Sequence, residues 1–159
     1  MDSAEVRARY GQVFDSVAEE YDRERRSYPS ELVDVALQLG GLVAGDTVLE
    51  VGCGTGLLTE QLVARGLHVH ALDPGAEMVS RARRRVGEDA AVEFEIARFE
   101  EVSPAGGPFP ALFSASAWHW LEPAVSWRRA REALAPGGRL FCCRTSASPI
   151  RGPAGTPSC

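Results

Sequence analysis

No apolar run in this sequence approaches the roughly 18 residues that a membrane-spanning helix requires. The opening stretch, MDSAEVRARYGQVFD, also lacks the apolar core of a secretion signal. A soluble cytoplasmic protein is therefore expected, with no membrane partner. Cysteine is scarce as well: Cys53, Cys142, Cys143 and Cys159 form no CxxC pair and show no spacing used by structural zinc sites. They read as reduced thiols, and no metal site is expected. Basic residues form no long stripe, since 17 Lys and Arg are interspersed among 22 Asp and Glu for a formal net charge of -5. Bare nucleic acid is then disfavoured as a partner. Internal repeats are missing too. What remains is a chain of 159 residues with 45% apolar content, enough to fill one core, so one domain is expected.

Helical and extended patterns alternate along most of that length, which implies a parallel sheet with helices on its faces. Helices are expected over 5–20 and 30–39, the second with Ser30 as N-cap and Gly40-Gly41 as its stop. The short apolar run 46–51 (DTVLEV) predicts a buried strand. After it come a helix over 57–64, a strand over 67–72, a helix over 76–86 and a strand over 91–96. A Pro/Gly-rich loop then leads to a strand over 112–117, a helix over 124–135, the turn Pro136-Gly137-Gly138 and a strand over 139–143. Beyond Cys143 the composition changes to RTSASPIRGPAGTPSC, without periodicity, and residues 144–159 are expected to form an irregular tail.

The chemistry concentrates in VLEVGCGTG, residues 48–56, where a buried strand runs straight into a helix and glycines allow the backbone to approach a ligand. A phosphate-binding loop is excluded because no Lys-Ser/Thr follows the glycines. The spacing Gly52-x-Gly54-x-Gly56 also puts Leu57 where a dinucleotide loop needs its third glycine. Glu50 adds a negative charge beside the loop, which suits a ligand bearing an ammonium and a sulfonium better than one bearing a pyrophosphate. Asp73, at the end of the second strand, is placed to accept from both hydroxyls of a ribose, or simply to cap the helix that starts at Pro74. Under the first reading its removal should affect ligand binding far more than folding.

Taken together, VLEVGCGTG, ALDPGAEMV, SASAWHWLEP and LAPGGRLF resemble the class I S-adenosylmethionine-dependent methyltransferases. The similarity is to the small-molecule branch, which includes the trans-aconitate and ubiquinone/menaquinone-biosynthesis enzymes, and it covers roughly residues 10 to 143. The resemblance implies a Rossmann-like three-layer α/β/α sandwich of mostly parallel strands in the order 3-2-1-4-5, its domain spanning 1–143 with cap helices at about 5–39. It implies S-adenosyl-L-methionine as cofactor, held by Glu50, Gly52, Cys53, Gly54, Thr55, Gly56, Asp73, Pro74, Met78, Phe99 and Ser114. Tyr21 and Arg25, in FDSVAEEYDRERRSYP, match the pair that closes over the methionine end, although Arg25 also fits a solvated charged run.

The chain departs from the family at three places. It lacks the C-terminal antiparallel hairpin, so it reads as shortened and its strand-five edge is left open to self-association. It has Pro108-Phe109-Pro110-Ala111 where an Asp usually opens strand four, and Ala97-Arg98-Phe99 where an acidic residue often meets adenine, leaving that contact to the Phe99 N–H.

Trp118-His119-Trp120 leaves strand four at the edge where open α/β sheets bind substrates. His119 has the unperturbed range of a general base, but it could equally shape the pocket; Trp118 and Trp120 are pocket walls or core. Three functions stay open: a methyltransferase acting on a small-molecule acceptor, a cofactor-binding but inactive fragment, and an NAD-dependent oxidoreductase. Leu57 and Glu50 both speak against the last.

Overall fold

The computed structural model describes residues 27–88 and 90–144. The expected first helix, Tyr21, Arg25 and residues 145–159 lie outside them. The elements are α1 (Ser30–Gly40), β1 (Thr47–Val51), α2 (Leu57–Val63), β2 (His68–Asp73), α3 (Ala76–Val86), β3 (Val92–Ile96) and β4 (Phe109–Ala115). A single 3-10 turn (Trp118–Trp120), α4 (Pro123–Ala133) and β5 (Leu134–Cys143) follow. All neighbouring strands run parallel in the order β3-β2-β1-β4-β5. This is the doubly covered α/β sheet that the alternating pattern implies.

Side chains that alternate along each strand feed two cores. Val48, Val69, Ala71, Ala111 and Phe113 pack on one face with Leu58 and Leu62 of α2 and Val33 of α1. Leu49, Val51, Leu72 and Leu112 pack on the other with Phe99 and with Ala130 of α4. α3 lies beside α2, against β2 and β3. The inner strands β1, β2 and β4 bury both faces, which is why DTVLEV reads as a short, mainly apolar run, whereas the edge strands β3 and β5 stay partly exposed.

Four expectations shift. Pro29, not Ser30, is the N-cap of α1; the Ser30 hydroxyl instead accepts from Arg65 Nη2 at 2.9 Å. β4 starts three residues earlier than expected because its Pro110 falls in a register irregularity between Phe109 and Ala111, where no ladder N–H is required. β5 begins at Leu134, paired with Phe109, and the Pro136-Gly137-Gly138 turn lies inside it as a bulge before Arg139 pairs with Ala111. β4 ends at Ala115 rather than Ala117, since Ser116 turns to a left-handed φ of 55° and breaks the extended run. All four concern ends of elements, leaving their order intact.

Candidate functional site

The carboxyl ends of β1, β2 and β4 converge on one cleft, as the crossover between β1 and β4 predicts for an open α/β sheet. Gly52, Gly54, Asp73, Pro74, Met78 and Phe99 line it. So do Arg98 and Glu100 from the loop after β3, Ser116 and Ala117 after β4, and Trp120. A narrower recess continues behind the glycine loop, lined by Tyr28, Glu50, Cys53, Thr55 and Leu58. Gly52, Gly54 and Ala115 border both spaces. A ligand with two unlike ends could therefore straddle the loop.

The loop is anchored by β2. The N–H groups of Gly52 and Cys53 both donate to the Leu72 carbonyl, at 2.8 and 3.0 Å. A Cβ on Gly52 would overlap the Ala117 methyl, so the β1 and β4 loops can touch only through a glycine. Gly54 differs: at φ +54° an added Cβ would meet nothing within 4 Å, because it would point into open space. Gly56 lines neither space and serves packing, since a Cβ there would come within 3.0 Å of Ala82 Cα on α3.

Asp73 does more than the sequence foretells. Its Oδ2 accepts from the Gly54 N–H at 2.9 Å and its Oδ1 from the Gly75 N–H at 2.8 Å, so one carboxylate ties the glycine loop to the entry of α3. The N-cap of α3 is Gly75, and the capping alternative takes the form of an Asx-type turn two residues earlier. A carboxylate has about four acceptor positions, so these two backbone donors do not by themselves exhaust it. The expectation that folding would barely respond to loss of Asp73 is thereby corrected. Asp73→Ala should lower stability by about 1–3 kcal/mol, through two backbone donors that lose their acceptor, besides weakening ligand binding. Asp73→Asn, which keeps one acceptor oxygen, should lose less in a urea melt. Equal stability of all three proteins would contradict this.

Glu50 is 1% exposed on the sheet face covered by α2, where Thr59 donates its hydroxyl to Oε2 at 2.7 Å. Burial raises its carboxyl from 4.5 to about 7; the Thr59 hydrogen bond opposes the rise and the nearby Asp73 charge adds to it. Burial, followed by the charges of Glu50 and Asp73, pushes the Cys53 thiol well above its ordinary value. It stays neutral, consistent with a role of size rather than reactivity. The two acidic ends suit a cation, and burial holds the Glu50 carboxyl well above the ordinary carboxylate range.

Other expected site residues part company. Ser114 lines neither space: its hydroxyl donates to the Val51 carbonyl at 2.9 Å and joins β4 to β1 inside the sheet. Trp118 packs away from the cleft, edge-on to Trp127 at 5.2 Å and tilted on Phe99 at 6.1 Å. Trp120 alone of the two lines the cleft, because a 3-10 turn, not an extended chain, separates them. His119 is exposed, with its ring 4.7 Å from that of Trp120. Among the described residues no His, Cys, Asp and Glu cluster is arranged to hold a metal.

Sequence reasoning missed Tyr28, Arg98, Glu100, Ser116 and Ala117 as lining residues. Ser116 and Ala117 could have been found from their place at the carboxyl end of β4. Arg98 and Glu100 sit in an irregular loop with no periodic signal. That loop is held by Glu100, whose Oε1 accepts from the Glu122 N–H at 3.1 Å, and by Arg129, which donates to the Glu100 carbonyl at 3.2 Å.

A family model described as a methyltransferase domain matches residues 48–138. An uncharacterised methyltransferase of Mycobacterium tuberculosis is 39% identical over 127 residues, covering 80% of this chain and 49% of its own length. The demethylmenaquinone methyltransferase of Clavibacter sepedonicus is 32% identical over 155 residues, covering 92% of this chain and 63% of its own. Among solved structures, phosphoethanolamine N-methyltransferase 2 of Haemonchus contortus in complex with S-adenosyl-L-methionine superposes with a TM-score of 0.61 at 25% identity, covering 70% of this chain and 27% of that one. The chain spans about half the length of the mycobacterial relatives it matches.

Proposed function

Because this chain belongs to the methyltransferase-domain family, we propose that its cleft holds S-adenosylmethionine and serves transfer of the methyl group to a small-molecule acceptor. The observation that carries this reading is the pair of acidic ends joined by one glycine loop: buried Glu50 in the recess and Asp73 in the cleft. The donor set fits the cofactor. Asp73 has acceptor capacity for ribose hydroxyls, Met78 and Phe99 offer apolar walls to an adenine, and Glu50 offers a carboxylate to the amino group of the methionine end. Tyr21 and Arg25, outside the described residues, belong to the proposal as the closing pair.

Bound there, the cofactor supplies a methyl group already activated by a positively charged sulfur. The chain's own residues then contribute binding, orientation and exclusion of water. Glu50 and Asp73 hold the two ends, and the close approach of Ala117 to Gly52 brings the β1 and β4 loops together between them. The acceptor would approach past Trp120, Arg98 and Glu100, with His119, exposed beside Trp120, as proton acceptor or as a wall. An acceptor of low molecular weight is supported by the names of relatives in quinone biosynthesis. The test is transfer of labelled methyl from S-adenosylmethionine to a panel of small phenols, amines and carbon acids. Label recovered only in RNA or protein would overturn the acceptor class.

The domain is taken as 1–143, with 144–159 as its tail. Among the described residues no helix is long and apolar enough to cross a membrane. A cytoplasmic location is part of the proposal. β5 pairs with β4 on one side, and among the described residues no strand covers its other side. A sheet edge of this kind invites pairing with a second copy of the chain. Light scattering should show mass rising with concentration. A monodisperse monomer at every concentration would remove this part of the proposal.

A further inference from the structure

Thr59 sits wholly buried on α2, directly over Glu50. A threonine inside a helix ordinarily turns its hydroxyl back to the carbonyl four residues earlier. Here that carbonyl, of Thr55, accepts from Arg85 Nε at 2.9 Å, and the Thr59 hydroxyl is given to Glu50 Oε2 instead. The bond occupies one oxygen of a carboxylate that borders the recess, and so restricts the rotation of that carboxylate.

We propose that Thr59 is a positioning residue for the cofactor: its hydroxyl orients Glu50 and favours the charged carboxylate, so that an ammonium entering the recess meets an anion. The inference rests on the cofactor reading given above. Among the described residues, burial and a like charge both work against an ionised Glu50. Asp73, at the end of β2, opposes its ionisation; Cys53, in the loop, is a neutral thiol; Tyr28, ahead of α1, Thr55 of the loop, and Leu57 and Leu58 of α2 line the recess beside it. A hydrogen bond that favours the charged form counteracts the burial that otherwise keeps the proton on.

The experiment compares wild type with Thr59→Val, Thr59→Ala and Thr59→Ser, titrating S-adenosylhomocysteine by calorimetry from pH 5.5 to 8.5. The carboxyl resonance of Glu50 is followed by NMR in the ligand-free proteins, which reports the ionisation even where binding is lost. Wild-type affinity should rise with pH through a midpoint near 7. In Thr59→Val and Thr59→Ala the midpoint should move up by about one unit in both measurements, and affinity at pH 7 should fall about fivefold. Thr59→Ser should restore both. Unmoved midpoints in the hydroxyl-free variants would overturn the inference, as would a loss equal at every pH and not rescued by serine, since packing alone would explain it. A wild-type chain that binds no S-adenosylhomocysteine at any pH would overturn the cofactor reading itself, and this inference with it.

Discussion

Replacing Glu50 with glutamine is expected to stabilise the ligand-free protein at pH 8 while weakening its hold on the cofactor, so that the two effects run in opposite directions. In the folded protein the Glu50 carboxyl titrates near 7, against 4.5 for an ordinary glutamate, chiefly because burial disfavours the charge. A carboxyl raised by folding favours the folded state most below its unfolded value; that advantage is lost as pH rises through 7 and is absent above it. The loss corresponds to about 3 kcal/mol at most, which glutamine, neutral at every pH, does not incur. Urea melts without ligand should therefore show Glu50→Gln more stable than wild type at pH 8, the difference shrinking towards pH 5. Binding should change the other way. Wild-type affinity for an ammonium-bearing ligand should grow about tenfold between pH 6 and pH 8 as Glu50 ionises, whereas Glu50→Gln should be weak and flat over the same range. A variant destabilised equally at both pH values would mean that Glu50 is an ordinary buried hydrogen-bonding group.

Gly54→Val should leave a folded protein that no longer responds to ligand. The backbone there has φ +54°, a region a branched side chain enters at a cost of about 1–2 kcal/mol, so a modest fall in melting temperature is expected. The new side chain meets no protein atom within 4 Å at its Cβ and instead fills the cleft beside Asp73. Wild type should gain about 2.7 kcal/mol at a ligand concentration one hundred times Kd, and the variant should gain nothing. Gly52→Ala provides the contrast. Its Cβ would overlap the Ala117 methyl, so it should destabilise the fold with and without ligand alike. If Gly54→Val kept the full ligand-induced shift, the cleft would not be where the cofactor lies.

Much of this was legible in the sequence because the informative features are local. Short apolar runs mark β1, which runs into Gly52, and β2, which runs into Pro74-Gly75, and the acids near their carboxyl ends point to the site. The alternation of strand and helix led to the parallel sheet, and the family resemblance to the order of its strands. Features that depend on distant partners were not legible. Pro110 and the Pro136-Gly137-Gly138 segment look like breaks, yet both are accommodated by a single irregularity where β4 meets β5. Trp118 and Trp120 look equivalent until a 3-10 turn sends one into the packing against Phe99 and Trp127. Ser114 looks available until the Val51 carbonyl is found beside its hydroxyl. Likewise, nothing in the residues around Asp73 announces that its two oxygens hold Gly54 and Gly75. Glu50 and Thr59 are nine positions apart and meet only because α2 folds back over β1.

The central claim is that the cleft at the ends of β1, β2 and β4 is built for S-adenosylmethionine rather than for a dinucleotide. Parallel calorimetric titrations with S-adenosylhomocysteine and with NAD at pH 8 test it most directly. Saturable one-to-one binding of S-adenosylhomocysteine, abolished in Gly54→Val, with no heat from NAD, is the predicted result; saturable binding of NAD with none of S-adenosylhomocysteine would contradict it.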